Sequence, residues 1–208
     1  MLFGSGDLQL LRRGGIAIVG SRNIDEAGAA FARAVGRQAA AAGSVVISGG
    51  ARGTDRLAME GGLEVGGVAV GILADSLERT IAQHDLRRLL LDGNLTFVTP
   101  YIPTAGFSVG GAMGRNKIIY GLADYTIVVS SEFKTGGTWA GASEALKNGS
   151  CPVFVRDGPK APKGNGELIK LGANALSEND LEVINNLPQW LQQHTRVAPV
   201  EQDLFGQT

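Results

Sequence analysis

The residues best suited to chemistry lie in turns that follow apolar runs. Ser48-Gly49-Gly50-Ala51-Arg52-Gly53-Thr54-Asp55 places three glycines and an arginine between the run 45–47 and a helix start. Glycines bring backbone N–H groups close to a ligand because no Cβ intervenes. A helix N-terminus adds unpaired N–H groups and the positive end of its dipole, and Arg52 supplies a cationic fork. The chemistry is anion binding, of phosphate above all. The plainer alternative is an ordinary strand-to-helix connection capped by Thr54 or Asp55.

A second turn of this kind, Gly20-Ser21-Arg22-Asn23, follows the run 16–19 and precedes an alanine-rich helix. In an open parallel sheet such turns share the carboxyl edge, where ligands bind at a switch in strand order. Arg22 and Arg52 are therefore candidates for one pocket. Gly114-Arg115-Asn116-Lys117 stands before the amphipathic stretch 118–123, and two cations at a helix start oppose its dipole unless an anion is bound. The turn 130–138, with Thr135, Gly136 and Gly137, opens a helix carrying Glu144 and forms a third candidate wall. Thr135 or Thr138 can equally act as a cap there.

Other chemistries find little support. Neither turn has the spaced glycines of a dinucleotide fingerprint or the Lys-Ser/Thr ending of a triphosphate loop. His84 and His194 fall on expected helix surfaces, and no nucleophile triad or metal-ligand spacing is visible. No cofactor and no metal are expected, and no catalytic residue is assigned. Cys151 is single, which excludes an internal disulfide framework.

The elements that must position these turns are short apolar runs at 16–19, 44–48, 68–73, 95–98, 126–130 and 152–155. They alternate with helical stretches at about 25–42, 54–65, 77–92, 113–122 and 137–148. This alternation predicts an α/β fold, a Rossmann-like, doubly wound, mostly parallel sheet with helices on both faces. The runs are almost wholly apolar, as strands covered on both sides require. The loop 99–111 lacks either periodicity and carries Tyr101 and Phe107; it is either a ligand-binding loop or a surface crossover. Spaced apolar residues over 178–193, interrupted by Pro188, suggest a docking helix or a subunit contact. The expected division is 1–175 as the main domain, 176–194 as the docking helix and 195–208 as a mobile polar tail.

With 208 residues, 44% of them hydrophobic, one core is the default. The net charge of −1 offers no global attraction to nucleic acid, so such binding must come from local clusters of cations. No apolar stretch reaches the length of a membrane span, and the N-terminus lacks the layout of a secretion signal. A cytoplasmic protein without membrane contact is expected.

Three ordered motifs, Ile-Ala-Ile-Val-Gly-Ser-Arg at 16–22, Ser-Gly-Gly-Ala-Arg-Gly-Thr-Asp at 48–55 and Gly-Arg-Asn-Lys-Ile-Ile-Tyr-Gly-Leu-Ala-Asp at 114–124, resemble the DNA-processing protein A (DprA/Smf) family. The resemblance runs from about residue 2 to 155. It implies a Rossmann-like domain that binds single-stranded DNA, forms a homodimer and helps load a RecA-type recombinase during DNA uptake or recombination, with no established catalysis. Carried over by motif, Ser21, Arg22, Ser48, Gly49, Gly50, Arg52, Gly53, Arg115, Asn116 and Lys117, with Thr135, Gly136 and Gly137, would surround a DNA phosphate or nucleotide. Tyr101, Phe107 or Phe133 would offer a stacking platform. Gly50 and Thr54 replace the apolar residues more usual in the second motif. The family commonly has a helical domain before this region and often a winged-helix domain after it, whereas this sequence enters the motif region almost at once, and 2–11 resemble the family's lead-in strand.

A second resemblance, of Thr135-Gly136-Gly137-Thr138 with Glu144, is to cytokinin-activating phosphoribohydrolases. It implies that Arg115 and Glu144 would act on a nucleoside monophosphate. A nucleotide-sensing module without DNA affinity is a third reading. Glu201-Gln202-Asp203-Leu204-Phe205 partly resembles peptides that hold the bacterial sliding clamp.

Overall fold

The computed structural model describes residues 1–196. Eight strands form one sheet in the order β1-β5-β4-β3-β2-β6-β7-β8. They are β1 (Phe3–Ser5), β2 (Ile16–Gly20), β3 (Val46–Ser48), β4 (Ala69–Ile72), β5 (Leu95–Thr99), β6 (Tyr125–Ser130), β7 (Val153–Asp157) and β8 (Asn174–Ser177). All neighbours pair in parallel except β1, which closes one edge antiparallel to β5. The mostly parallel doubly wound sheet expected from the alternation is therefore present.

Among the described residues, nine α-helices accompany the strands: α1 (Glu26–Ala41), α2 (Thr54–Glu64), α3 (Leu77–Ile81), α4 (His84–Leu91), α5 (Val109–Leu122), α6 (Gly136–Asn148) and α7 (Lys163–Lys170) between strands, and α8 (Glu178–Val183) and α9 (Leu187–His194) after the last. Because side chains alternate across a strand, β2 sends Ile16 and Ile18 to one face and Ala17 and Val19 to the other. The first face packs with Phe31, Val35, Met59, Leu187 and Leu191 of α1, α2 and α9. The second packs with Ile119, Tyr120, Ala142, Ala145 and Leu168 of α5, α6 and α7. Helices α1 and α2 approach so closely that a Cβ at Gly36 or Gly61 would strike the backbone of Ala58 or Arg33.

Local chemistry explains where the elements depart from the periodicity. Ser108 caps α5 by accepting the Gly111 N–H at 3.0 Å, and the cap outweighs the poor helix propensity of Gly110 and Gly111. The helix therefore starts four residues before the expected 113. The stretch expected as one helix over 77–92 is two, because Ser76 and Glu78 anchor α3 to the Pro103 carbonyl while Gln83 takes extended backbone before α4. Pro188 sits in the first turn of α9, where its missing N–H costs nothing; it begins a second helix rather than breaking one. The boundary expected after 175 falls inside β8, and Leu181, Leu187 and Leu191 join the core of the main sheet. From 197 onward, including the stretch 201–205, the tail lies outside the described residues. Among the described residues, no helix is long and apolar enough to cross a membrane.

Candidate nucleic-acid interface

Strand order reverses at β2, since β3 joins one edge and β6 the other. The loops leaving β2 and β6 turn to opposite faces, toward α1 and α6, and a crevice opens between them. There the structure has a cavity of about 630 Å³, within the range of roughly 300–1,000 Å³ typical of ligand sites. Its walls come from the β2 loop, the first turn of α2, the outer half of α5 and the turn into α6.

The rim is cationic. Arg22 lies over the Phe107 ring, its Cζ 4.4 Å from the centroid; this contact orients the guanidinium and lets the loop 99–111 close one side of the opening. Lys134 is the only non-glycine residue with positive φ among the described residues, at 56°, a left-handed conformation that costs an L-residue about 1–2 kcal/mol. Its ammonium stands 5.1 Å from the Phe133 ring, which packs edge-on against Trp139. Thr135, at the N-cap of α6, makes no capping bond; its hydroxyl donates instead to the Phe133 carbonyl at 3.3 Å. Gly136, Gly137 and Thr138 of the first turn line the cavity, and the turn has no side-chain cap. An anion there would complete both hydrogen bonds and dipole.

The floor holds Arg115 and Asp55, 5% and 7% exposed. Arg115 Nε and Nη1 are buried without a hydrogen-bond partner, and so is the Tyr120 hydroxyl. Burial pulls the Arg115 guanidinium below its ordinary range, with Asp55 opposing the shift. Burial pushes the Asp55 carboxyl up to about 6 against the attraction of Arg115. Gly49 makes this arrangement possible, because a Cβ there would collide with Arg115 Nη1 and Asp55 Oδ2. With Glu132 also in the wall, three cations face two carboxylates.

The expected site residues divide accordingly. Ser21, Arg22, Arg115, Asn116, Thr135, Gly136 and Gly137 line the cavity. Gly49 packs directly beneath it. Ser48 is interior and donates to the Ile18 carbonyl at 2.6 Å, tying β3 to β2. Gly50 and Gly53 have positive φ and turn Arg52 outward, where it contacts Asn23 Oδ1 at 3.3 Å. Arg22 and Arg52 therefore do not share the cavity. Lys117 also leaves it: two residues on a helix span about 200°, so Lys117 faces a separate groove between α5 and α6 and pairs with Glu144 at 3.0 Å. Residues 114–117 lie inside α5, so the argument from cations at a helix start does not apply to them. Glu144 and Arg115 line different hollows, which separates the pair that hydrolysis of a nucleotide would need. Lys134, Trp139 and Tyr120 enter the wall beside these, and Asp55 enters it rather than only capping α2; the glycine and hydroxyl-rich turn 130–138 is the sequence signal for Lys134.

The family model for DNA recombination-mediator protein A matches residues 1–188. The chain belongs to that family. Protein Smf of Escherichia coli is 31% identical over 98% of the chain. The solved structure of DNA processing protein A from Streptococcus pneumoniae superposes with a TM-score of 0.73 at 27% identity, over 87% of the chain. The chain spans 56% of Smf and 65% of the pneumococcal protein. A Helicobacter pylori relative, described for a single-stranded DNA binding mode, has the same fold, with a TM-score of 0.73 at 24% identity, 92% of this chain and 85% of that one being covered.

Proposed function

We propose that this chain binds single-stranded DNA across the β2/β6 crevice and serves as the DNA-holding part of a recombination mediator. The observation that carries this reading is the cationic rim of Arg22, Lys134 and the uncapped first turn of α6 over a cavity floored by a buried arginine. Single-strand binding combines cations that follow the backbone with aromatic faces that take bases, and Phe107 and Trp139 supply such faces here. The pocket residues are Ser21, Arg22, Arg115, Asn116, Lys134, Thr135, Gly136 and Gly137, positioned by residues 1–194. The Helicobacter relative's DNA-binding mode supports the reading, and the family's description as a recombination mediator supports a hand-over of DNA to a RecA-type recombinase; the proposal further takes the chain to act as a homodimer in the cytoplasm. The chain is read as a binder rather than an enzyme.

The test is fluorescence anisotropy of labelled oligothymidine at several salt concentrations. Binding should weaken with salt at about −0.7 per phosphate neutralised. Arg22→Ala and Lys134→Ala should each lower affinity and flatten that slope, while Glu144→Gln leaves both unchanged. Absence of binding at low salt would refute the proposal.

A further inference from the structure

The rim and the floor of the cavity are built for different chemistry. The rim is cationic and carries free N–H groups, which suits phosphate. At the floor, Arg115 and Asp55 flank Gly49, and the same cavity is lined by Val19, Met113, Ile119, Tyr120 and Trp139. A dianion pushed to the floor would meet the Asp55 carboxylate. A buried cation beside a buried anion is instead complementary to a neutral planar group that accepts hydrogen bonds on one edge and donates on another.

We propose that the floor receives a nucleobase and selects guanine, with the attached phosphate held at the rim. This rests on the single-strand reading above and names the base that the same site prefers. Guanine alone offers two neighbouring acceptors, O6 and N7, to a guanidinium and two neighbouring donors, N1–H and the 2-amino group, to a carboxylate. Adenine, cytosine and thymine each offer an isolated donor beside their acceptors. Arg115 provides the cation through a fork of Nη2 with Nε or Nη1; the latter two are buried without a partner, and donors in that state are unfavourable until an acceptor reaches them. Asp55 provides the acceptor. Tyr120 and Trp139 form part of the wall against which the ring would lie.

The inference applies to a guanine in a DNA strand and to a free guanine nucleotide, and the experiment separates them. The unaltered protein is titrated with labelled oligothymidine carrying one central guanine, adenine, cytosine, inosine or 7-deazaguanine. Since a good bidentate pair discriminates by roughly 5- to 150-fold, the guanine strand should bind tighter than plain oligothymidine by a factor in that range. Inosine, lacking the 2-amino group, and 7-deazaguanine, lacking the N7 acceptor, should each lose much of the gain. Asp55→Asn should abolish the preference for the guanine strand over plain oligothymidine, and the modified bases test the same contacts without altering the protein. Equal affinity for guanine and thymine strands would overturn the inference while leaving the single-strand reading intact. So would full affinity for both modified bases. If no strand binds, the single-strand reading fails and calorimetry with guanosine and adenosine 5′-monophosphates decides the inference. Selective guanosine binding upholds it for the free nucleotide, and equal or absent binding overturns it.

Discussion

Asp55 makes stability depend on pH in a direction opposite to that of an ordinary ion-paired carboxylate. Its carboxyl is raised from 3.8 to about 6 because burial outweighs the attraction of Arg115. The folded state thus holds the proton more tightly than the unfolded chain does. The stabilisation from that proton is fully present below pH 3.8 and is lost as pH rises through about 6. At 1.36 kcal/mol per pH unit the group contributes a span of about 3 kcal/mol, most of which develops between pH 4 and 6.5. Asp55→Asn removes this titration. The Arg115 guanidinium stays protonated throughout this range, so the pH dependence of the difference between the two proteins comes from Asp55. The informative quantity is therefore the stability difference between the two proteins as a function of pH. Urea unfolding from pH 4 to 8 should show that difference shifting by about 2–3 kcal/mol in favour of the asparagine variant as pH rises. Parallel stability curves for the two proteins would refute the assignment of a raised, buried carboxyl to Asp55.

Two further outcomes follow from the same region. Gly49→Ala forces a Cβ into Arg115 Nη1 and Asp55 Oδ2 and should destabilise by about 1–3 kcal/mol, read as a lower urea midpoint with unchanged slope; a loss under 0.5 kcal/mol would contradict the packing described. At Lys134, whose φ is 56°, glycine should be about 1 kcal/mol more stable than alanine in thermal unfolding, while both weaken oligothymidine binding alike.

The legible part of the fold was the part governed by burial. Runs such as 16–19 and 126–130 are mostly apolar because helices cover both faces, and Gly20 after the first and Ser130-Ser131 at the end of the second mark the carboxyl edge where the cavity opens. Short-range competition was harder to read. Nothing in the apolar spacing shows that Ser108 starts a helix across two glycines, and moving that start placed residues 114–117 a turn inside α5. Once they are helical, neighbours in sequence diverge in space, so Arg115 enters the cavity floor and Lys117 the opposite groove. Arg52 departs from the cavity for a different reason: the positive-φ glycines that bring the backbone close to the site also swing the side chain between them away. The floor was the least legible feature, because Asp55 reads as a capping residue until Gly49 is seen to admit Arg115 beside it.

The position of the cavity at the β2/β6 seam also dictates when it can exist. Ile18 of β2 pairs with Ile127 of β6, about 110 positions later, and the cavity wall extends to Ala140. At synthesis rates of about 5–20 residues per second, the inner edge of β2 waits roughly 5–20 seconds for its partner while β3, β4 and β5 are already made. During that interval the future binding site is an open strand edge in an apolar setting, the kind of surface that pairs with other chains. A nascent chain halted before β6 would carry an aggregation-prone edge and no site, so the same seam that creates the function is the point at which an interrupted chain is most vulnerable.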